Sequence, residues 1–82
     1  MFYFYIVRCE DDTLYCGSTN NTEQRIQRHN AGRGSKYIRA HGGGEIVYTE
    51  TFATLTEAMR REIQIKKWSR IKKENLIKAL KP

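Results

Sequence analysis

Two tyrosines, a glycine, an arginine and a histidine follow one another in order within the first 29 residues. Tyr5 and Tyr15 lie in aromatic-rich segments, Gly17 follows Tyr15 by two residues, and Arg25 and His29 are four residues apart. A guanidinium group can hold a phosphate in two places at once, and phenol and imidazole groups can transfer protons. The set is therefore a candidate site for phosphate chemistry, with packing and surface charge as the alternative roles of its members.

The two tyrosines belong to a predicted β-hairpin. Residues 2 to 9 are rich in aromatic and β-branched residues, "EDDT" supplies turn formers, and strand-forming residues resume at 14 to 19. A register that pairs Cys9 with Tyr15 places the odd-numbered residues of both strands on one face, and so brings Tyr5 and Tyr15 together. Gly17 weakens a strand interior, and either a bulge or a closely approaching ligand explains it.

A helix is predicted over residues 21 to 31, because Asn20 and Glu23 have capping-box spacing. Its apolar residues are only Ile26 and Ala31, too few for a full buried stripe. Arg25 and His29 share one face of this helix and need not serve the core.

Glu62 is the most informative acidic residue. On a helix beginning after Thr54 and ending near Ser69, it projects to the centre of an apolar arc formed by Leu55, Ala58, Met59, Ile63 and Ile65. An inward carboxylate needs a cation. Lys66, four residues on, is one candidate partner, and a divalent metal held by a single carboxylate and waters, as suits Mg²⁺, is the other.

The remaining elements complete a small α/β (α+β) fold. "EIVYTETF" at 45 to 52 predicts a third strand with Ile46 and Tyr48 on one face, and Ser69 caps a last helix through "RIKKENLIKAL". We therefore predict one domain over residues 1–82, with a three-stranded, mainly antiparallel sheet flanked by helices.

Charge favours a polyanionic partner. The net charge is +6; residues 55 to 82 carry nine Lys or Arg against three acids, and residues 25 to 43 carry no acid. No apolar run is long enough to span a bilayer and no secretory signal is evident, so a cytoplasmic location with reduced cysteines is expected.

In this order and spacing, the residues resemble the GIY-YIG nuclease superfamily, and in particular its small single-domain members. Tyr3-Phe4-Tyr5 stands where the family has Gly-Ile-Tyr, and Tyr15-Cys16-Gly17 stands where it has Tyr-Ile-Gly. Arg25, His29 and Glu62 match the family's arginine, histidine and metal-binding glutamate. The departures at Tyr3, Phe4 and Cys16 remove no reactive group of the family.

The resemblance implies hydrolysis of DNA phosphodiester bonds with one divalent ion, Mg²⁺ or Mn²⁺, on Glu62. Tyr5 would accept a proton from the attacking water, Arg25 would stabilise phosphoryl charge, and His29 would assist proton transfer. Structured or branched DNA, in a repair or recombination assembly, is a candidate substrate. The basic residues expected to hold the nucleic-acid backbone are Arg28, Arg33, Lys36, Arg39, Lys66 and Lys67.

Two other functions are compatible with the same residues. One is a catalytically inactive module that binds single-stranded nucleic acid through exposed aromatics such as Tyr37 or Trp68, although both fit a core role better. The other is a docking partner of a repair nuclease.

Overall fold

Three antiparallel strands followed by two helices make up the part of the chain that the structure, a computed structural model, describes: residues 1–20 and 40–79. The strands are β1 (Phe2–Cys9), β2 (Leu14–Thr19) and β3 (Gly44–Phe52), and the sheet order is β2-β1-β3. The helices are α1 (Leu55–Lys66) and α2 (Arg70–Lys78). The predicted sheet, its hairpin and its antiparallel character are confirmed. The helix predicted at 21 to 31 lies outside the described residues.

The β1–β2 turn sets which side chains share a face. Cys9 N donates to Thr13 O at 2.8 Å, Asp12 N donates to Cys9 O at 2.9 Å, and Asp12 has a φ of 70°. These bonds define a three-residue loop with a left-handed residue in last place, a common hairpin connection. The predicted pairing of Cys9 with Tyr15 is wrong, since Val7 lies opposite Tyr15. The shift is two residues, so the prediction that Tyr5 and Tyr15 share a face is confirmed.

The sheet has two differently covered faces. On the first, here called the helix face, residues of both helices complete the larger core. Its buried members are Phe4, Ile6, Cys16, Tyr48, Ile65 and Ile77. On the second, here called the tyrosine face, a smaller cluster is buried. Its members are Tyr5, Val7 and Cys9, with Tyr15 and Ile46 packed against them.

A bulge in β3 changes its predicted alternation. Ile6 pairs with Tyr48, whereas the next residue, Val7, pairs with Ile46, so Val47 is an extra residue. The prediction that Ile46 and Tyr48 lie on one face is therefore wrong. Tyr48 belongs to the helix face and Ile46 to the tyrosine face.

The helix predicted to begin after Thr54 and the helix predicted to be capped by Ser69 both have a side-chain cap at the expected residue. The Thr54 hydroxyl accepts from Glu57 N at 3.2 Å, and the Ser69 hydroxyl accepts from Lys72 N at 3.3 Å. Helix α1 ends at Lys66, earlier than the predicted end near Ser69, because Ser69 already caps α2. No helix in the described ranges is long and apolar enough to cross a membrane.

Helix α1 is rotated relative to the predicted arc. Ala58 and Ile65 are fully buried, whereas the other three apolar residues of the arc are about half exposed. Those three are Leu55, Met59 and Ile63. The prediction that they face the core is wrong, because the side of the helix that packs on the described sheet is the one that carries Ala58 and Ile65. Glu62 lies at the border of the buried side, with 22% of its side chain exposed.

An ion-pair network ties the hairpin to α2. Arg8 binds Glu74 through two contacts, at 2.6 and 3.1 Å, and binds Asp12 at 3.0 Å. Arg70 contacts the same two carboxylates, at 3.0 Å to Asp12 and 3.3 Å to Glu74. The hydrogen bonds from Arg8, assisted by Arg70, lower the pKa of Glu74 to about 2. This network fixes the C-terminal helix on the first turn of the sheet.

We predict that Glu74→Gln lowers the free energy of unfolding at pH 7 by about 1–2 kcal/mol, the upper range for a bidentate pair near the surface. The folded-state pKa lies below the ordinary 4.5, so the Glu74 contribution is complete above about pH 4.5 and is lost as the pH falls toward 2. Urea titrations at pH 7 and pH 3 therefore give a smaller difference between wild type and variant at pH 3. Glu10→Gln, which removes an exposed turn carboxylate, is the control. A difference between wild type and Glu74→Gln that is independent of pH contradicts the assignment.

Candidate active site

Tyr5 lies directly across Gly17. The two residues are paired in the β1–β2 register, and Tyr5 is only 3% exposed. A Cβ atom added to Gly17 would lie 2.5 Å from Tyr5 Oη and 2.6 Å from Tyr5 Cζ. Only a glycine leaves room for the phenol at this position. Neither a bulge nor a ligand, the two explanations that the sequence suggested, is needed, because the Tyr5 ring itself approaches the backbone.

Tyr15 lies beside this pair on the same face. It precedes Gly17 by two residues on β2, which forms an edge of the described sheet, and it packs against the buried cluster of the tyrosine face. Tyr15 is more exposed than Tyr5. The two phenols therefore share a face while differing in access to solvent, with the inner one held by packing and the outer one at the strand edge.

Glu62 reaches the same strand from the opposite face. Its Oε1 atom accepts a hydrogen bond from Ser18 Oγ at 2.9 Å, and its Oε2 atom is paired with Lys66 Nζ at 2.9 Å. Ser18 alternates with Gly17 and so lies on the helix face. The structure therefore brings Tyr5 and Tyr15 together on one side of β2 and places Glu62 on the other side, at the same edge.

The ion pair of Glu62 with Lys66 was one of the two partners that the sequence left open. This ion pair is formed in the structure. The hydrogen bond to Glu62 is the main cause that raises the pKa of Lys66, and Tyr15 and Cys16 raise it by smaller amounts. Lys66 is therefore within electrostatic reach of residues on both faces of β2. Sequence reasoning did not identify Ser18, although its position directly after Gly17 in a strand indicates that it faces the helices.

The donor set suits a hydrated ion better than an enclosed metal site. No cluster of three or more His, Cys, Asp or Glu side chains occurs within residues 1–20 and 40–79. Cys9 and Cys16 are buried free thiols, and burial raises the pKa of each, which disfavours the thiolate that a metal needs. Glu62 supplies one hard, partly exposed oxygen ligand. Mg²⁺ and similar ions accept such a site when water and substrate phosphate complete the coordination.

The other predicted site residues fall into two groups. Lys66 and Lys67 are exposed at the end of α1. The remainder lie outside the described residues: Arg25, Arg28, His29, Arg33, Lys36 and Arg39. Their predicted roles stay predictions.

A polar network on the helix face shows that Tyr48 has a structural role. Arg61 binds both oxygens of Glu50, at 2.8 and 3.0 Å, and the Tyr48 hydroxyl donates to the same carboxylate. Burial, reinforced by Glu50, raises the pKa of Tyr48 to about 12. This phenol therefore keeps its proton and is unsuited to act as a base.

Trp68 is part of the core edge. It packs against the larger cluster, and two cations lie over its ring: Arg61 Cζ at 5.4 Å and Lys72 Nζ at 4.4 Å from the centroid. The core role favoured by the sequence is confirmed. Tyr37, the other aromatic considered for base stacking, lies outside the described residues.

A cleft of about 520 Å³ opens at the other end of the hairpin. Its lining comes from the end of β1, the turn and the glycine-rich start of β3, namely Arg8, Cys9, Glu10, Asp12, Gly42, Gly43, Gly44 and Glu45. Of the candidate catalytic residues within residues 1–20 and 40–79, Tyr5 and Tyr15 do not line it.

Comparisons with known proteins find relatives that match most of this chain. The GIY-YIG catalytic domain family model matches residues 1–75. A UPF0213 protein from Staphylococcus haemolyticus is 49% identical over 75 residues, covering 92% of each chain. A UPF0213 protein from Natronomonas pharaonis is 48% identical over 75 residues, covering 92% of this chain and 88% of the relative. The solution NMR structure of a UPF0213 protein from Bacillus halodurans superimposes with a TM-score of 0.62 at 41% identity, covering 98% of this chain and 86% of that one.

We predict that Gly17→Ala lowers the free energy of unfolding by about 1–3 kcal/mol, because the added methyl group overlaps the Tyr5 ring. In a Tyr5→Leu background the same substitution costs at least 1 kcal/mol less, since the overlapping ring is gone. Urea denaturation of the wild type, both single variants and the double variant measures this coupling. Equal costs of Gly17→Ala in the two backgrounds contradict the proposed contact.

Proposed function

Because this chain belongs to the GIY-YIG catalytic domain family, we propose that it is a single-domain nuclease, spanning residues 1–82, that hydrolyses DNA phosphodiester bonds in the cytoplasm. We further propose structured or branched DNA, as met in repair or recombination assemblies, as its substrate class. The observation that carries the proposal is that both family tyrosines, the family glycine and the family glutamate all contact or belong to the β1–β2 hairpin.

The tyrosine pair is proposed to activate the water. Tyr5 accepts a proton from the attacking water, directly or through Tyr15, which is the more exposed of the two. The contact of Tyr5 with Gly17 supports this role, because a phenol that is held by packing keeps its hydroxyl at one position. Tyr5→Phe removes this hydroxyl and keeps the ring that packs against Gly17.

Arg25 and His29 are proposed to act on the phosphate. Arg25 stabilises negative charge on the phosphoryl oxygens, as a planar guanidinium does well. His29 assists proton transfer or contacts the phosphate. In the sequence they follow the end of β2, at Thr19, by six and ten residues.

Glu62 is proposed to hold the divalent ion, Mg²⁺ or Mn²⁺. A bound ion of this kind supplies a Lewis acid for the leaving oxygen. The hydrogen bond from Ser18 supports the assignment, because it fixes one carboxylate oxygen, while the second oxygen is held only by Lys66, which is half exposed. Orientation of a metal-binding carboxylate by a neighbouring donor is typical of such sites.

The basic residues are proposed to hold the DNA backbone. Lys66 and Lys67 end α1 next to the site, and the net charge of the whole chain is +6. The set is completed by Arg28, Arg33, Lys36 and Arg39. Binding through such contacts weakens steeply as salt concentration rises, because counterions are released from the phosphates.

The test is cleavage of plasmid, single-stranded, branched and RNA substrates in Mn²⁺ or Mg²⁺. We predict that Tyr5→Phe, Arg25→Ala and Glu62→Gln each lower the rate by about 100-fold or more, the usual effect of removing an acid–base or electrostatic group. Tyr48→Phe is the matched control, because it removes a phenol hydroxyl from the other face of the sheet and leaves the rate within about twofold of wild type.

Two outcomes contradict the proposal in different ways. Cleavage that survives all three substitutions rejects the site assignment. Binding without cleavage of any substrate rejects the nuclease function and favours the inactive binding module. Circular dichroism of each variant establishes that loss of activity is not loss of fold.

A further inference from the structure

We propose that Lys66 occupies, in the metal-free protein, the place on Glu62 that a divalent ion takes, so that the ion binds by displacing the lysine ammonium. The inference rests on the proposed role of Glu62 in the nuclease. It assigns Lys66 as a positioning residue and competitor at the metal site, in addition to its proposed contact with DNA.

The two oxygens of Glu62 are used differently. Ser18 Oγ donates to Oε1, and this bond joins the carboxylate to β2. Lys66 Nζ lies 2.9 Å from Oε2, the oxygen that Ser18 leaves available. A cation that binds the oxygen not used by Ser18 therefore meets the one that already carries the ammonium.

A single carboxylate cannot hold both cations well. A divalent ion and an ammonium on one carboxylate repel each other, and the repulsion is large at a few ångströms in a partly buried site. Across residues 1–20 and 40–79, Glu62 is the acid that pairs with Lys66, and no group of three or more His, Cys, Asp or Glu side chains lies there to hold a metal instead. The ion and the lysine therefore compete.

The geometry of α1 favours an ion pair between Glu62 and Lys66 that a metal ion can replace. Glu62 and Lys66 are spaced i, i+4 in the favourable order, so the pair forms within α1 itself. The Lys66 side chain is 51% exposed, so its ammonium can turn into solvent without a burial penalty. Such a pair orients the carboxylate, yet contributes little enough to the stability of the fold to be replaced.

The displaced ammonium stays near the site. Lys66 lies close enough to Tyr15 for the charge of one to act on the other. A DNA phosphate bound at this edge would then find a free cation beside it. The same lysine thus opposes metal binding in the free protein and favours phosphate binding once the metal is bound.

The experiment is titration of Mn²⁺ into the full chain without DNA, with the free hexaaqua ion followed by electron paramagnetic resonance. Lys66→Met keeps the apolar stem and removes the charge, and we expect it to lower the Mn²⁺ dissociation constant by roughly fivefold, the upper range for a surface ion pair. Lys78→Met changes the net charge equally at an exposed position of α2, and leaves the constant unchanged. Lys66→Gln provides a second, polar replacement if the methionine variant folds poorly.

The outcomes separate the inference from the proposed function. Mn²⁺ binding that disappears in Glu62→Gln, and that Lys66→Met leaves equal or weaker, overturns the competition while keeping Glu62 as the metal ligand. A lysine with a purely structural role gives this result, because its loss destabilises the fold without strengthening metal binding. Mn²⁺ binding that Glu62→Gln does not change contradicts the metal role of Glu62, and with it both the inference and that part of the proposed function.

Discussion

The contact between the Tyr5 ring and the backbone at Gly17 is the constraint on which the site depends. It requires these two residues to be paired, and the pairing in turn fixes Tyr15 on the same face and Ser18 on the other. A slip of β2 by one residue would turn Tyr15 and Gly17 to the helix face, away from Tyr5, and would direct Ser18 away from Glu62. The hairpin register thus determines the faces of Tyr5, Tyr15 and Ser18.

The rest of the described structure stabilises this register from the helix face. The larger core joins the middle of β1 to both helices, and the pair of Arg8 with Glu74 closes the hairpin end against α2. Among the residues that the structure describes, the smaller cluster on the tyrosine face buries Tyr5 with Val7 and Cys9. A small domain has limited apolar area to bury, so it uses polar networks such as this pair and the one around Glu50 to orient its helices.

Local patterns predicted the parts of this molecule that are governed by neighbouring residues. The hairpin, the Thr54 and Ser69 caps and the shared face of Tyr5 and Tyr15 follow from alternation and turn residues. The bulge at Val47 did not follow, because an apolar run in a strand fits either face until its partner strand is known.

For the site, too, the contacts that sequence patterns did not predict are those between residues far apart in the chain. The broad apolar arc of α1 placed Glu62 inward but did not show which side of the arc the sheet covers. The i, i+4 spacing offered Lys66 as a partner of Glu62, whereas Ser18 lies 44 positions away in sequence and only the fold brings it to the carboxylate. The contact of Tyr5 with Gly17 is of the same kind, since the glycine alone showed only that something approaches the backbone.

In the proposed mechanism, the tyrosines, Glu62 and one DNA phosphate meet at the edge of β2. The most direct test is a crystal structure of the Tyr5→Phe variant with Mn²⁺ and a short DNA duplex, in which anomalous scattering locates the ion. The account predicts an ion bound to Glu62 Oε2, with Lys66 turned away and a phosphate between the ion and Tyr15. A phosphate held instead in the cleft beside Arg8, with Glu62 still paired to Lys66, would contradict it.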